Sequence, residues 1–320
     1  MIGTGNVTEL KSAPSFNKIE NSRLEAVANR TLEKAEDYAA RHGVPTVHKN
    51  PIDVIHNPEV DIVYIATPPG SHLEYALETI KAGKPLYIEK PMARTWEECN
   101  IINEAAKKAG LPVFVAYYRR SLDYFKKVMS VVDSGSLGKI RYINLKQYYA
   151  ARPEDYDPKN LPWRVIPEDA GGGYFHDLGC HALDIIFHIF GDPLEVEGKA
   201  INQGGLYTPE DMVSATLLLP DKVMVTGCWN FITPEPFTKD QVEVIGEKGK
   251  LKFSIFSFKP MTLFTGTHQE TLASIQPEHI QLPHITSIVS ELNGTGHCPA
   301  TGASSAVCSR AMDIITGRGI

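Results

Sequence analysis

Met1-Ile2-Gly3-Thr4-Gly5-Asn6-Val7-Thr8 opens the chain, and its reading decides the fold. The pattern is a G-x-G-x-x-T version of the dinucleotide-binding turn. Its first glycine allows a tight turn, its second lets the backbone approach a pyrophosphate, and the N-terminus of the following helix faces that charge. Gly3, Thr4, Gly5, Asn6 and Val7 are therefore candidate cofactor contacts. Two glycines before a helix also occur in plain turns, and Thr8 stands where a third small residue normally permits close helix packing. Only Met1 and Ile2 precede Gly3, so the strand that should feed the turn is nearly absent. The expectation is that the native gene product carries several more apolar, strand-forming residues upstream.

Outward from this turn, the text alternates as βαβ units on a parallel sheet do. Strands are expected at residues 24–28 (LEAVA), 61–66 (DIVYIA), 85–88 (PLYI) and 111–116 (LPVFVA). An amphipathic run after Thr31 ends at Gly43, and Thr95 with Glu98 forms a capping box for a helix that Gly110 stops. Past residue 118 the style changes. A helix at 121–133 and a long strand at 139–150 lead to a Pro-rich loop, a glycine-led helix, and strands at 213–219, 222–232 and 241–253. Strands joined by short turns must pair antiparallel. The reading is an α/β Rossmann domain over residues 1–118 and an α+β domain over 119–320.

Composition narrows the function classes. The 320 residues carry 32 Lys plus Arg against 38 Asp plus Glu, a net charge of -6, which opposes binding to a phosphate backbone. Nucleic acid is excluded as a partner. No stretch reaches the length of apolar sequence that a membrane helix needs, and the start has no signal-peptide pattern, so the protein is expected in the cytoplasm without a membrane partner. Five scattered cysteines without a CxxC pair argue against disulfides and structural zinc.

Three strand ends carry further candidates, because ligands of open parallel sheets bind outside the carboxyl ends of the strands. Asn29-Arg30 falls where the ribose-binding residue is expected. An amide and a guanidinium there, instead of an acid, suit a 2′-phosphate and hence NADP(H) over NAD(H). A solvated arginine at a strand end is the plainer alternative. Thr67-Pro68 with His72, and Glu89-Lys90 before Pro91, occupy the same edge. In the second domain, residues 171–184 (GGGYFHDLGCHALD) place Asp177, His181 and Asp184 at i, i+4 and i+7, one stripe of a regular helix. An imidazole beside an acid can move a proton. A structural histidine with a capping aspartate competes with that reading. A metal site of His176, Asp177 and His181 is weaker, since two residues five apart face different sides of a regular helix, and no metal is expected.

GTGNVTE, the strand-end NR, ATPPGSH, EKP and GGGYFHDLGCHALD occur in the order seen in the Gfo/Idh/MocA family of sugar and cyclitol oxidoreductases, and the chain resembles that family over nearly its whole length. The resemblance implies a second domain with a large open, mostly antiparallel sheet that often pairs between subunits. It implies that Lys90, Asp177 and His181 match the family's catalytic Lys, Asp and His, and that a sugar-like substrate would be held by them. Trp163-Arg164 is similar to a pair that reaches the cofactor in NADPH-using 1,5-anhydrofructose reductases, and residues 297–302 (HCPATG) resemble the segment before the family's last helix. Pro69 and Thr8 depart from the usual pattern. The aromatic run at 115–120, with Tyr118, offers stacking and hydrogen bonding to a substrate. The expected activity is hydride transfer between a nicotinamide and a hydroxyl or carbonyl carbon. A ligand sensor without turnover, or a dihydrodiol or biliverdin-type reductase, is the alternative. Strands at 213–219 and 222–232, with Met224, Val225, Trp229 and Phe231 apolar on both alternations, suggest a face buried in a homodimer or a dimer of dimers.

Overall fold

The computed structural model describes residues 1–318, which divide into two compact units. The first comprises Met1–Leu122 and Pro277–Ala306; the second comprises Asp123–Gln276 and the residues from Val307 onward. The expected boundary at 118/119 falls inside the short 3-10 turn Tyr118–Ser121. The assignment of everything after 118 to the second domain is corrected by residues 277–306, which fold with the first unit.

In the first unit, β1 (Ala26–Ala28) pairs in parallel with β2 (Thr46–His48), and β3 (Val63–Ile65), β4 (Leu86–Ile88) and β5 (Val113–Val115) pair in parallel with one another. Ile2 joins the two groups as a parallel bridge to both Ala28 and Ile65. Its N–H donates to Tyr64 O and its carbonyl accepts from Ala66 N–H, each at 2.8 Å. The chain thus runs outward to β1 and β2 on one side of Ile2 and to β3, β4 and β5 on the other, so the glycine turn leaves the sheet where strand order reverses. The four expected strands form, each shorter than its apolar run. β2 was missed because its TVH sequence is half-buried and shows no apolar run. The helix Trp96–Ala109 starts as expected, with Thr95 Oγ1 accepting from Glu98 N–H at 3.2 Å. The returning segment closes the far side of the sheet: Val115 N–H donates to Ala300 O at 3.0 Å, and the Arg120 guanidinium reaches Pro299 O at 2.8 Å.

The second unit is built on one sheet. Its strands are β6 (Ile140–Tyr148), β7 (Glu195–Ile201), β8 (Met212–Leu218), β9 (Met224–Asn230), β10 (Lys239–Gly246), β11 (Gly249–Phe253), β12 (Met261–Thr265) and β13 (His268–Leu272). Their order is β13-β12-β11-β10-β6-β9-β8-β7, antiparallel throughout except for β6 with β9. The expected run over 241–253 folds as two antiparallel strands about Gly246-Glu247-Lys248-Gly249, whose sequence reads as a turn. Along β9 the side chains alternate strictly: Val225 and Trp229, with Phe231 just beyond, are buried, whereas Met224 is 41% exposed. The opposite parity is apolar in part as well, with Met224 on β9 and Met212 and Leu218 on β8 keeping part of their surface open. The outer face mixes polar and apolar residues, with Tyr142 and Met224 as its large exposed apolar groups on β6 and β9. On the inner face the Trp229 indole N–H donates to Gln147 Oε1 at 2.7 Å, and Phe175 meets the indole edge-on at 5.0 Å. The glycine-led helical segment is thereby seated on the sheet.

Candidate active site

The glycine turn suits a dinucleotide at two points. Gly3 has φ +97°, and a Cβ there would lie 2.8 Å from Ala66 O, so only glycine lets the turn pass the end of β3. A Cβ on Gly5 would meet nothing within 4 Å, so the space over this backbone is open to a ligand. Asn6 beside it is exposed, and Thr4 and Val7 are half-buried. Thr8 fits in place of a small residue because its hydroxyl donates to Gly5 O at 2.7 Å. From Thr8 to Ser12 the helix is wound as a π-turn. Glu9 anchors it to the next helix through Arg41 Nη2 at 2.6 Å and His42 Nε2 at 2.7 Å. The Arg41 hydrogen bond is the main reason the Glu9 carboxyl is held down at about 2.

Asn29 and Arg30 follow β1 but differ in commitment. The Asn29 amide donates to Thr4 Oγ1 at 2.7 Å and its carbonyl oxygen accepts from Thr31 N–H at 2.9 Å, which ties the strand end to the glycine turn. Arg30 is exposed. At the next strand end, Thr67 and Pro68 are half-buried, and Ser71 Oγ donates to Thr67 Oγ1 at 2.7 Å. His72 is fully buried, with Nε2 2.8 Å from Thr67 O and Nδ1 3.2 Å from Met92 O. Its ring is spent on joining two strand-end loops, so any service to a cofactor is through their shape.

Glu89 and Lys90 end β4. The Glu89 carboxylate, 6% exposed, accepts from Tyr64 Oη at 2.7 Å and Gln281 Nε2 at 2.8 Å on one oxygen, and from Lys90 N–H at 3.2 Å on the other. Tyr87 Oη donates to Gln281 Oε1 at 2.5 Å, and the Tyr64 and Tyr87 rings stack 4.5 Å apart. Burial first and the Glu89 charge second push both phenols well above their ordinary range, so both stay protonated. Glu89 thus fixes the main chain that presents half-buried Lys90. Sequence reasoning missed Tyr64 and Gln281 as its partners; a tyrosine inside an otherwise apolar strand was the available signal. Tyr118, on the same unit, is 5% exposed with the Arg119 guanidinium 5.0 Å over its ring.

In the second unit Asp177 and His181 are 7% and 3% exposed. The regular-helix stripe is corrected: Phe175–Gly179 is a π-turn, and the α-helix proper is Cys180–Phe190. π-turns widen the helix locally and change which residues share a face. The glycines make room for it. A Cβ on Gly179 would come within 2.5 Å of the Phe175 ring, and one on Gly172 within 2.2 Å of His176 Nδ1. The π-turn also removes the facing argument against His176 as a metal ligand. His176 Nδ1 is instead 3.3 Å from the Glu210 carboxylate. Arg164 Nε donates to Asp177 Oδ2 at 2.9 Å, while its guanidinium lies 4.6 Å over the Trp163 ring. Within this unit, then, Arg164 serves the acid. His181 packs edge-on against Phe256 at 5.5 Å.

A parallel sheet whose strand ends gather an open glycine turn, a cation and a buried Glu89 beside half-buried Lys90 defines a dinucleotide-binding unit, here in a chain that also carries a buried Asp and His on one helix. The comparisons agree. The "Oxidoreductase family, NAD-binding Rossmann fold" profile matches residues 1–117, and the "GFO/IDH/MocA C-terminal domain" profile matches 125–252. "Oxidoreductase P35" of Formosa agariphila is 36% identical, covering 99% of this chain and 97% of that protein. "1,5-anhydro-D-fructose reductase" of Ensifer adhaerens is 26% identical over 87% of this chain and 83% of its own. The crystal structure of aldose-aldose oxidoreductase from Caulobacter crescentus complexed with glycerol superposes with a TM-score of 0.82 at 26% identity, over 96% of this chain and 92% of that one. The chain belongs to the Gfo/Idh/MocA family of oxidoreductases. Among the described residues, no helix is long and apolar enough to cross a membrane.

Proposed function

We propose that the protein transfers a hydride reversibly between a nicotinamide cofactor, NADP(H) in preference to NAD(H), and a hydroxyl- or carbonyl-bearing carbon of a sugar-like ring. Relatives named for 1,5-anhydro-D-fructose and myo-inositol support the substrate class. The observation that carries the reading is the buried Asp177 and His181 on one π-opened helix, with Asp177 held by Arg164. A bound nicotinamide would supply the hydride donor or acceptor. Gly3 to Val7 would line the pyrophosphate and Arg30 the 2′-phosphate, with Asn29 keeping Thr4 and the strand end in register. Thr67, Pro68 and the Glu89-Lys90 main chain would complete that edge. Lys90 would polarise the reacting oxygen, His181 would give or take its proton, and Asp177 would orient substrate or imidazole.

Titration with both cofactors, followed by assays with keto-sugars and cyclitols, tests the proposal. An Arg30 contact to the 2′-phosphate is worth ~1.5–3 kcal/mol, so NADPH should bind roughly ten- to a hundredfold tighter than NADH, and Arg30→Ala should remove the difference. His181→Ala should lower kcat by about a hundredfold or more while NADPH still binds. Cofactor binding with no turnover of any sugar-like compound would favour the sensor instead.

A further inference from the structure

The second unit contains a cavity of about 390 Å³, walled by Tyr149, Arg152, Tyr174, Leu178, Phe231 and Phe256. Tyr174 and Phe231 are buried, while Tyr149, Leu178 and Phe256 keep part of their surface open. The rings are arranged as a wall. Tyr149 is stacked 6.1 Å from Phe231 at an interplanar angle of 15°, and Phe256 meets Tyr149 edge-on at 6.0 Å. The Arg152 guanidinium lies 4.5 Å over Tyr174, and exposed Glu235 also borders the space. Aromatic faces take the C–H face of a sugar ring, and a cation with a carboxylate serves its hydroxyls. The volume falls at the low end of the ~300–1,000 Å³ of small-molecule sites, enough for one ring-sized group.

The position of the cavity gives this chemistry a meaning. Leu178 directly follows Asp177, and Phe256, part of the wall, packs its edge contact on His181 at 5.5 Å. Asp177 and His181 themselves are not among the described lining residues. A ring seated here lies next to the acid and imidazole, not on them. We infer that the cavity is a subsite for a second sugar ring, so that the substrate is a glycoside of at least two rings, one oxidised or reduced beside His181 and its neighbour held on the aromatic wall. The inference rests on the oxidoreductase reading only for the first ring.

The test uses the whole protein, both cofactors, and glucose, galactose and xylose against cellobiose, lactose and xylobiose. Two variants accompany the wild type: Tyr149→Ala removes part of the wall, and Ala150→Phe fills the cavity from a lining position without removing packing. A filled subsite should give at least one disaccharide a kcat/KM about tenfold above its monosaccharide, and both variants should reduce that ratio about fivefold or more. A ratio near one in the wild type, or one that neither variant moves, overturns the subsite and leaves the oxidoreductase reading standing. Saturation-transfer NMR with the disaccharides alone separates the two claims. Disaccharide binding that Ala150→Phe abolishes, with no sugar turned over, supports the subsite and overturns the redox reading; no disaccharide bound by the wild type overturns the subsite. Binding of 4-nitrophenyl β-glucoside through its aryl ring in place of the disaccharides overturns the sugar assignment.

Discussion

His284 offers a sharp test of how the returning segment holds the first unit. Its ring is fully buried, with Nε2 2.9 Å from Val115 O and Nδ1 3.1 Å from Ser121 Oγ. The neutral tautomer with its proton on Nε2 satisfies both contacts: it donates to the carbonyl and accepts from the hydroxyl. Burial is the main reason its pKa falls from 6.5 to about 4, the two carbonyl and Arg120 effects being smaller. Because the folded value lies below the unfolded one, the stability it permits is complete above pH 6.5 and is lost as pH falls toward 4, where the unfolded chain takes up a proton that the folded chain refuses. Between pH 7.5 and 5 this linkage amounts to about 2 kcal/mol, rising to about 3 below pH 4. Urea unfolding of wild type and His284→Gln at pH 7.5, 6 and 5 reads it directly. The variant starts less stable but should lose about 2 kcal/mol less over that range. Glu9, held down at about 2, adds acid sensitivity only below its ordinary value of 4.5, outside this window. Equal pH slopes for the two proteins would show that His284 is already protonated in the fold, and would refute the tautomer assignment.

Two further outcomes can be checked. Gly179→Ala pushes a methyl into the Phe175 ring, and that ring in turn packs on Trp229; overpacking of this kind costs ~1–3 kcal/mol, and kcat should fall while NADPH affinity is kept. A variant with unchanged melting temperature and kcat would show that the π-turn relaxes freely. Light scattering should give a dimer or larger mass if the outer sheet face with Tyr142 and Met224 pairs two copies, and Met224→Lys, on a residue 41% exposed, should shift it toward monomer. A monomer mass at micromolar concentration would remove that sheet as an interface.

Much of the first unit was legible because its strands are short, apolar and bounded by residues with one conformational use. The glycine turn, Thr95 and the strand ends needed only local physics. The return of residues 277–306 was not legible, since a helix that packs far back in sequence carries no local mark of its destination. In the second unit the alternation along β8 and β9 was readable: Val225, Trp229 and Phe231 share the buried parity, and Met224, Met212 and Leu218 have the other, but what covers that outer face is not written in the strand itself. Asn29, Glu89 and His72 were found as residues, but their protein partners were not, because residue type at a strand end does not reveal which neighbouring loop a side chain also holds.

The helix that carries Asp177 and His181 shows the same limit in a more consequential form. Spacing of i, i+4 and i+7 places Asp177, His181 and Asp184 on one stripe only if every turn is α, and the π-turn at Phe175–Gly179 breaks that condition just where Asp177 sits. Phe175 needs the space over Gly179 to reach Trp229, whose indole is already committed to Gln147. The widened turn is therefore the consequence of an aromatic contact with the sheet, set by residues tens of positions away. Once it forms, Asp177 is presented to Arg164, thirteen positions earlier in the chain. The acid's partner is decided by how the helix is seated on the sheet, which explains why the residue types were readable in the sequence and their pairing was not.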